Sequence, residues 1–378
     1  MGQGAGFQGG TGEATGQRMT CAGQELRDVG MPGSHAADVL LSVIVATRNR
    51  TAALRDICLA ALARQEIDVP RELIICDATD DRTTEELIGR WAAAHPEWRT
   101  IYLRADRAGT CSQRNQAVAA AQGEIVLFLD DDLELLPGAL DELVSAFRRD
   151  GGREYAGFEC TFVAPVEPAS CLRHGPLRQA VWRGTMHLFG LPTGTGKPVV
   201  LPSGFPDGTE PEPAGSGPGL LGQAGTIGDV EWLGGCCMAF RRDLIIRDSA
   251  VFDTKLERFS GYALAEDNLL CVMVRRQTGL KLGQCRAALG VHHAVPGGRG
   301  DERARGAALA YNIFLVWSAD GPPTAWRWFQ YLRGQLGQVV ISFRHGGWQR
   351  FRGLLEGWRA VSQEVRRPET MASRDGTL

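Results

Sequence analysis

Three features that would place a chain in a specialised class are missing from these 378 residues. No CxxC pair occurs among the ten cysteines, so the spacing of zinc ribbons and thioredoxin-like redox motifs is absent. No apolar run reaches the roughly 18 residues that a membrane-spanning helix requires. The formal net charge is only -3, which gives no overall attraction to nucleic acid. We therefore expect neither a spanning helix nor a nucleic-acid partner.

The start of the chain, MGQGAGFQGGTGEATGQ, also lacks the apolar core of a signal peptide, and we expect a cytoplasmic protein. Most of the cysteines lie inside apolar runs, which favours reduced core residues over a disulfide framework. Residues 1–37 are rich in glycine and poor in large apolar side chains. That composition predicts a disordered N-terminal tail.

From Val39 onward, strand-like and helix-like patterns alternate. Four short apolar runs have the β-branched character of buried strands: VLLSVIVA, ELIICD, TIYLRA and EIVLFL. They are separated by segments of helical pattern, such as TAALRDICLAALARQ, whose apolar residues fall on one helical stripe. The alternation predicts an α/β fold in which a mostly parallel central sheet carries helices on both faces.

Polar clusters follow three of these predicted strands. They are Thr47 to Arg50, Asp77 to Asp81, and Asp130 to Asp132. Ligands of parallel sheets bind outside the carboxyl ends of the strands. The sheet is therefore expected to bring the three clusters to one rim.

The stretch IVLFLDDDLEL ends a buried strand in three adjacent carboxylates, which repel one another unless a proton or a cation is near. Two of them, spaced as Asp130-x-Asp132, can hold a hard divalent cation such as Mg²⁺ or Mn²⁺. Such an ion usually takes phosphate oxygens as well and would neutralise a diphosphate leaving group. The alternative is a solvated acidic loop at a helix N-terminus, where the helix dipole favours anions.

After about residue 155 the pattern becomes less regular. Residues 190–228 are dense in glycine and proline, which predicts a long irregular loop. Residues 303–364 have a helical pattern with many Trp, Phe, Leu and Arg side chains, and residues 365–378 are predicted to form a loose tail. The helices could lie peripherally on an anionic membrane at its inner face, or they could form an ordinary helical cap.

Six segments in order resemble the family 2 glycosyltransferases, which have the GT-A fold, over about residues 40 to 300. The segments are SVIVATRNR, ELIICDATDD, QRNQAVAAAQGEIVLFLDDD, WLGGCCMAFRR, GYALAEDNLL and GVHHAVPGGR. The resemblance implies a Rossmann-like GT-A domain whose nucleotide-sugar-binding half is residues 38–155 and whose acceptor-binding half is residues 156–302. A C-terminal helical extension would follow.

The resemblance also implies residue roles on the donor side. Asp77 would contact the nucleoside base, and Arg114 would lie near the donor or form a salt bridge to a nearby carboxylate. Arg299 could reach the diphosphate or be an ordinary surface residue. The residues expected to bind the nucleotide sugar are Thr47, Arg48, Asn49, Asp77, Arg114, Asp130, Asp131 and Arg299.

On the reactive side, Asp130 and Asp132 match the DxD motif, and His292 matches a histidine that completes the Mn²⁺ or Mg²⁺ site in some family members. A shift by one residue, to His293, remains open. Asp267 matches the catalytic base, which would take the acceptor hydroxyl's proton during attack on the sugar C1 with inversion. Glu266 would orient it. Without the resemblance, these two acids at a helix start would be an N-terminal charge pair.

The resemblance implies a nucleotide-diphosphate sugar donor (UDP-, GDP- or dTDP-linked) and a glycan, lipid-linked or small-molecule acceptor. Two other functions compete with this reading. A sugar nucleotidyltransferase would need a glycine-rich loop directly after the first strand, and ATRNR contains no glycine. A degenerate glycosyltransferase could instead serve as a binding or assembly module.

Overall fold

The computed structural model describes residues 40–163, 184–192, 199–207, 225–246, 250–295, 301–345 and 347–366. The predicted disordered tail lies outside the described residues, as do Arg299, most of the predicted loose tail and much of the 190–228 loop.

Strands and helices alternate through the first half of the described chain. Strands β1 to β5 are Leu41–Thr47, Arg71–Asp77, Arg99–Arg104, Ile125–Leu129 and Leu133–Leu135. Helix α1 comprises Thr51–Ala53, a π-helical stretch at Leu54–Leu59, and Ala60–Leu62. Helices α2 to α4 are Thr83–Ala94, Thr110–Ala120 and Ala139–Arg149. Strands β1 to β4 and the helices that follow them lie where the apolar patterns predicted them.

The second half has more varied elements. Strands β6 to β11 are Tyr155–Phe162, Val199–Val200, Pro206–Asp207, Ile227–Val230, Cys237–Arg241 and Lys281–His292. A short helix α5 is Arg242–Ile245, a 3-10 turn is Thr254–Glu257, and α6 is Glu266–Thr278. The C-terminal helices α7 to α9 are Glu302–Ala319, Ala325–His345 and Gly347–Val365.

Nine of the described strands form one central sheet in the order β3-β2-β1-β4-β10-β6-β11-β5, with β9 pairing beside β11. Strands β3, β2, β1 and β4 are parallel to one another. Strand β10 is antiparallel to both of its neighbours, and β5 and β9 are antiparallel to β11. Strands β6 and β11 are again parallel to each other. The predicted α/β class with a mostly parallel central sheet is therefore confirmed, and the antiparallel strands β10, β5 and β9 make the sheet mixed rather than purely parallel.

Strand β1 has a nearly continuous apolar sequence because both of its faces are buried. Val43 and Val45 belong to one buried cluster, whereas Ile44 belongs to a second. Since successive residues of a strand point to opposite faces, both faces of β1 are covered. A strand buried on both faces holds the polar residues that follow it at a fixed place on the rim.

Helices α7 and α9 pack so closely that two of the contact positions have no room for a Cβ. A Cβ added at Gly306 would collide with the carbonyl oxygen of Arg350, and one added at Gly353 would collide with that of Arg303. Glycine permits this approach because it has no side chain. Helices α7 and α9 are therefore in direct backbone contact.

Asn312 ties α7 to the body of the protein. Its buried amide donates hydrogen bonds to the carbonyl oxygens of Leu256 (3.0 Å) and Leu264 (2.9 Å). None of the described helices combines the length and the apolar character that crossing a bilayer requires. The eight cysteines in the described ranges are all free thiols, and seven of them are buried, as the sequence predicted.

Candidate active site

A cavity of about 1150 Å³ opens at the carboxyl ends of β1 and β4. Thr47 and the triplet 130–132 form one wall, where the sheet ends. The opposite wall includes Ile313 of α7 and Gln338 of α8. The cavity thus lies between the predicted nucleotide-binding strands and the C-terminal helices.

Asp131 is the structural member of the acidic triplet. It is 3% exposed, accepts a 2.7 Å hydrogen bond from the Thr47 hydroxyl, and lies 3.3 Å from Arg50 Nε. Burial raises its pKa to about 7, although both partners favour the charged form. Asp131 therefore anchors the turn, and it also lines the cavity.

Asp130, Asp132 and His292 form the one group of potential metal ligands found among the described residues, with ligand atoms within 4.8 Å of one another. Burial alone would raise the pKa of Asp132, but hydrogen bonds from His292 and Arg50 outweigh it and hold that pKa at about 2. His292 Nε2 lies 3.3 Å from Asp132 Oδ1. Two carboxylates and an imidazole are ligands that suit Mn²⁺.

The pairing of β5 with β11 decides which histidine joins the cluster. Leu133, which follows Asp132, is registered against His292. The imidazole of the next residue, His293, lies 2.9 Å from Glu134 Oε2 instead. The structure therefore places the side chain of His292, and not that of His293, beside the Asp132 carboxylate.

Arg114 connects the acidic turn with the start of α6. Its guanidinium lies 3.0 Å from Asp130 Oδ1 and 3.0 Å from Glu266 Oε1, and it donates a 2.7 Å hydrogen bond to the carbonyl oxygen of Gly235. The side chain is only 3% exposed and also packs over the ring of Phe252. The predicted salt bridge is present, and Arg114 also lines the cavity.

Asp267 lies at the N-terminal turn of α6 and faces the cavity. One carboxylate oxygen accepts the backbone N–H of Gly235 at 2.9 Å, and the other accepts that of Asn268 at 2.8 Å. Burial raises the pKa of Asp267 despite these bonds. The pKa of Glu266 rises to about 8, first through burial and then through the charge of Asp267. Each oxygen of Asp267 keeps a lone pair for a further partner.

The predicted nucleotide pocket is only partly assembled from the expected residues. Thr47, Arg48 and Asn49 line the cavity, and the Asn49 side chain contacts Asp80 of the second polar cluster at 3.3 Å. Asp77 does not line the cavity. It is fully buried, and its oxygens accept bonds from the Tyr102 hydroxyl and the Thr79 N–H.

Two further residues contribute to the site and were not among the residues predicted from the sequence. Arg50 lies 2.5 Å from Asp132 Oδ2 and supplies positive charge to the triplet. Glu159, which is 2% exposed, accepts the N–H of Gly234 at 2.6 Å and supports the glycine pair beside Asp267. Arg50 stands inside a polar cluster that the sequence identified, whereas Glu159 has no local signal.

Comparison with known proteins gives a match at the family level. Residues 42–157 match the model of glycosyl transferase family 2. Among curated proteins, none matches the chain by sequence.

Several solved structures resemble the chain at low sequence identity. One is the mannosyltransferase PcManGT from Pyrobaculum calidifontis in complex with GDP-Man and Mn²⁺ (17% identity, TM-score 0.45, 88% of this chain and 84% of that chain covered). Another is S. aureus TarS 1-349 in complex with UDP-GlcNAc (15% identity, TM-score 0.48, 89% and 79% covered). A third is TarS 1-349 in complex with UDP (14% identity, TM-score 0.46, 82% and 73% covered).

Proposed function

The chain is a glycosyltransferase with a family 2 domain at residues 42–157, and from that premise we propose that it transfers a sugar from a nucleotide-diphosphate donor to an acceptor hydroxyl with inversion. One observation carries the proposal. The possible metal ligands Asp130, Asp132 and His292 and the carboxylate of Asp267 face the same cavity of about 1150 Å³. A cation site for a diphosphate and a base for a hydroxyl are the two parts that such a transfer requires.

The donor would bind with its diphosphate at the acidic turn. Asp130, Asp132 and His292 would hold Mn²⁺ or Mg²⁺, which would stabilise the negative charge that develops on the leaving diphosphate. Asp131 and Thr47 fix the turn from below. The nucleoside would lie towards Arg48 and Asn49 at the end of β1, in the half of the domain formed by residues 38–155.

Asp267 is proposed as the general base. The two N–H bonds from Gly235 and Asn268 fix the carboxylate plane, so that a free lone pair faces the cavity. The acceptor oxygen forms a bond to the sugar C1 as the bond between C1 and the phosphate oxygen breaks, and the hydroxyl proton passes to Asp267. Because the new bond forms opposite the leaving group, the configuration at C1 inverts. Glu266 and Arg114 position this helix start.

The acceptor would enter from the side of residues 156–302 and the C-terminal helices. Phe162, Trp232 and Tyr262 line this part of the cavity together with Ile313 of α7. Aromatic faces and apolar walls are suited to the hydrophobic faces of sugars and to lipid or natural-product groups. Glycans, lipid-linked glycans and small natural products all remain acceptor classes for this wall.

A screen of UDP-, GDP- and dTDP-sugars with Mn²⁺, reading nucleoside diphosphate release, tests the proposal. We expect Asp132→Ala and Asp267→Asn to lose at least about 100-fold in turnover, as is usual for removal of a key electrostatic or acid–base group. Asp243→Asn is the matched control, because Asp243 is exposed and its partner among the described residues, Arg153, is exposed too. Unchanged turnover in both site variants would contradict the assignment, and donor binding without any turnover would favour a binding module.

A further inference from the structure

Helix α8 carries a continuous apolar face that no described residue covers. The face runs the length of the helix, and its six large side chains are each between 45% and 63% exposed. Its members are Trp326, Phe329, Leu332, Leu336, Val340 and Phe343. Their spacing of three or four residues places them within about one third of the helix circumference. A stripe of this length marks an interaction surface rather than scattered exposed residues.

The face continues onto the start of α9. The rings of Phe343 and Phe351 lie 5.5 Å apart, and that of Trp348 lies 5.2 Å from Phe351. The opposite end of the face has a stacked pair, Trp326 and Phe329, at 5.4 Å. Aromatic rings thus stand at both ends of an aliphatic centre. Trp side chains prefer the boundary between hydrocarbon and water, because the indole ring has an apolar body and a polar N–H group.

Positive charge borders this apolar face. Helix α8 contains no acidic residue, and its Arg327 is already paired with Asp320, which follows α7, so the available charge comes from α9. On α9, Arg352 and Arg359 are exposed, and the guanidinium of Arg352 lies 5.6 Å from the ring of Trp348. The two glutamates of α9, Glu356 and Glu364, are each already paired with a basic residue outside that helix. The charge that remains available beside the face is therefore positive.

We infer that the α8 face and the Trp348–Arg352 corner of α9 lie on an anionic lipid surface, with α8 parallel to the membrane plane. The apolar stripe would enter the acyl boundary, and the arginines would contact lipid phosphates. The helices are not apolar enough to span a bilayer, which fits a helix that lies on the surface. A second copy of the chain fits less well, because a two-fold contact would bring arginines against arginines.

Flotation with lipid vesicles tests this inference on the full chain. We expect the protein to float with vesicles of phosphatidylcholine and phosphatidylglycerol, to float less as salt rises, and to remain unbound with pure phosphatidylcholine. The double variant Leu332→Ser/Leu336→Ser should reduce the partition coefficient by about tenfold or more, because it removes two buried contacts with the acyl region. Arg352→Gln should also weaken binding to the anionic vesicles, because it removes a contact with lipid phosphates.

Met273→Ser is the matched control, because Met273 is an exposed apolar residue (37%) on α6, outside the face. It should float like the unchanged chain, and all variants should keep the thermal midpoint of the parent. Nucleoside diphosphate release with a water-soluble acceptor should also persist in the double variant, so failure of membrane binding is distinguishable from failure of the proposed transfer. Absence of flotation, equal flotation of the double variant, or a dimer in sedimentation that the double variant abolishes would each overturn the inference.

Discussion

Arg114 and Asp130 form an ion pair with 3.0 Å between Nη2 and Oδ1. The same guanidinium reaches Glu266 on a different element, so a single cation links the strand end that would hold a metal to the helix start that holds the proposed base. Nearby acids raise the pKa of Arg114 above its usual value, although burial opposes them. Arg114 therefore remains positively charged although its side chain is only 3% exposed.

This link predicts a loss of stability when the arginine is removed. Arg114→Ala leaves Asp130, Glu266 and the carbonyl oxygen of Gly235 without the buried guanidinium that binds all three, and the free energy of unfolding should fall by about 3–5 kcal/mol. Arg55→Ala, in a fully exposed pair with Asp56, should cause no measurable change. Chemical denaturation of both variants measures the difference. Equal stabilities would show that Arg114 does not hold the two elements together.

The metal cluster predicts a difference between two adjacent histidines. His292→Ala removes an imidazole within 4.8 Å of both carboxylate ligand atoms and should weaken Mn²⁺ binding by at least about tenfold. His293→Ala, whose partner is Glu134, should leave the affinity unchanged. Calorimetric titration with Mn²⁺ compares them. A loss confined to His293→Ala would mean that the β5–β11 register is shifted by one residue.

Glu159 predicts a pH dependence of stability. Burial raises its pKa to about 8, above the ordinary value of 4.5, so the folded protein holds a proton that the unfolded chain releases. The stabilising effect is complete below pH 4.5 and is lost as the pH rises towards 8, with a slope of up to about 1.4 kcal/mol per pH unit. Glu159→Gln keeps the shape of the group without its titration.

The free energy of unfolding at several pH values between 5 and 8 checks this prediction. Glu266, whose pKa is also raised to about 8, contributes with the same sign, so some slope will persist in the Glu159→Gln protein. The difference between the two curves is the contribution of Glu159. Parallel curves would show that this carboxyl titrates alike in the folded and unfolded states.

The close packing of α7 against α9 predicts that alanine is tolerated poorly at Gly353. A glycine in an open part of a helix, Gly89, should respond in the opposite way. Gly353→Ala would drive a methyl group into the carbonyl oxygen of Arg303, and overpacking of this kind costs about 1–3 kcal/mol or more. Gly89→Ala, in α2, has no atom within 4 Å of the new Cβ and should stabilise the protein by about 0.5–1 kcal/mol. Thermal unfolding of the two variants should shift in opposite directions, and a stabilised Gly353→Ala would contradict the close approach.

Much of the first half could be predicted from the sequence because its signals are local. Each buried strand there is a short β-branched run, and each following helix has its own apolar stripe. The same pattern predicts that Thr47 and Asp130 lie at one rim, since the carboxyl ends of parallel strands meet at the same edge of the sheet. Both residues line the same cavity, and both lie within the segment 42–157 that matches the family.

The remainder depends on contacts between distant segments. Strand β10 enters the sheet antiparallel between β4 and β6, and no residue pattern within Cys237–Arg241 gives its direction. The side chain of Asp77 has the predicted position along the strand, yet Tyr102 of the neighbouring strand binds it in the interior. Arg50 was part of a recognised polar cluster, but only the fold shows that its guanidinium reaches Asp132.

The alignment of Leu133 with His292 has a practical consequence. Two of the possible ligands are contributed by the end of β4 and the third by a strand that the chain reaches about 160 residues later. Tight manganese binding by a purified sample would therefore report that the last strand has found its correct partner, which makes a simple metal titration a quality test for refolded protein.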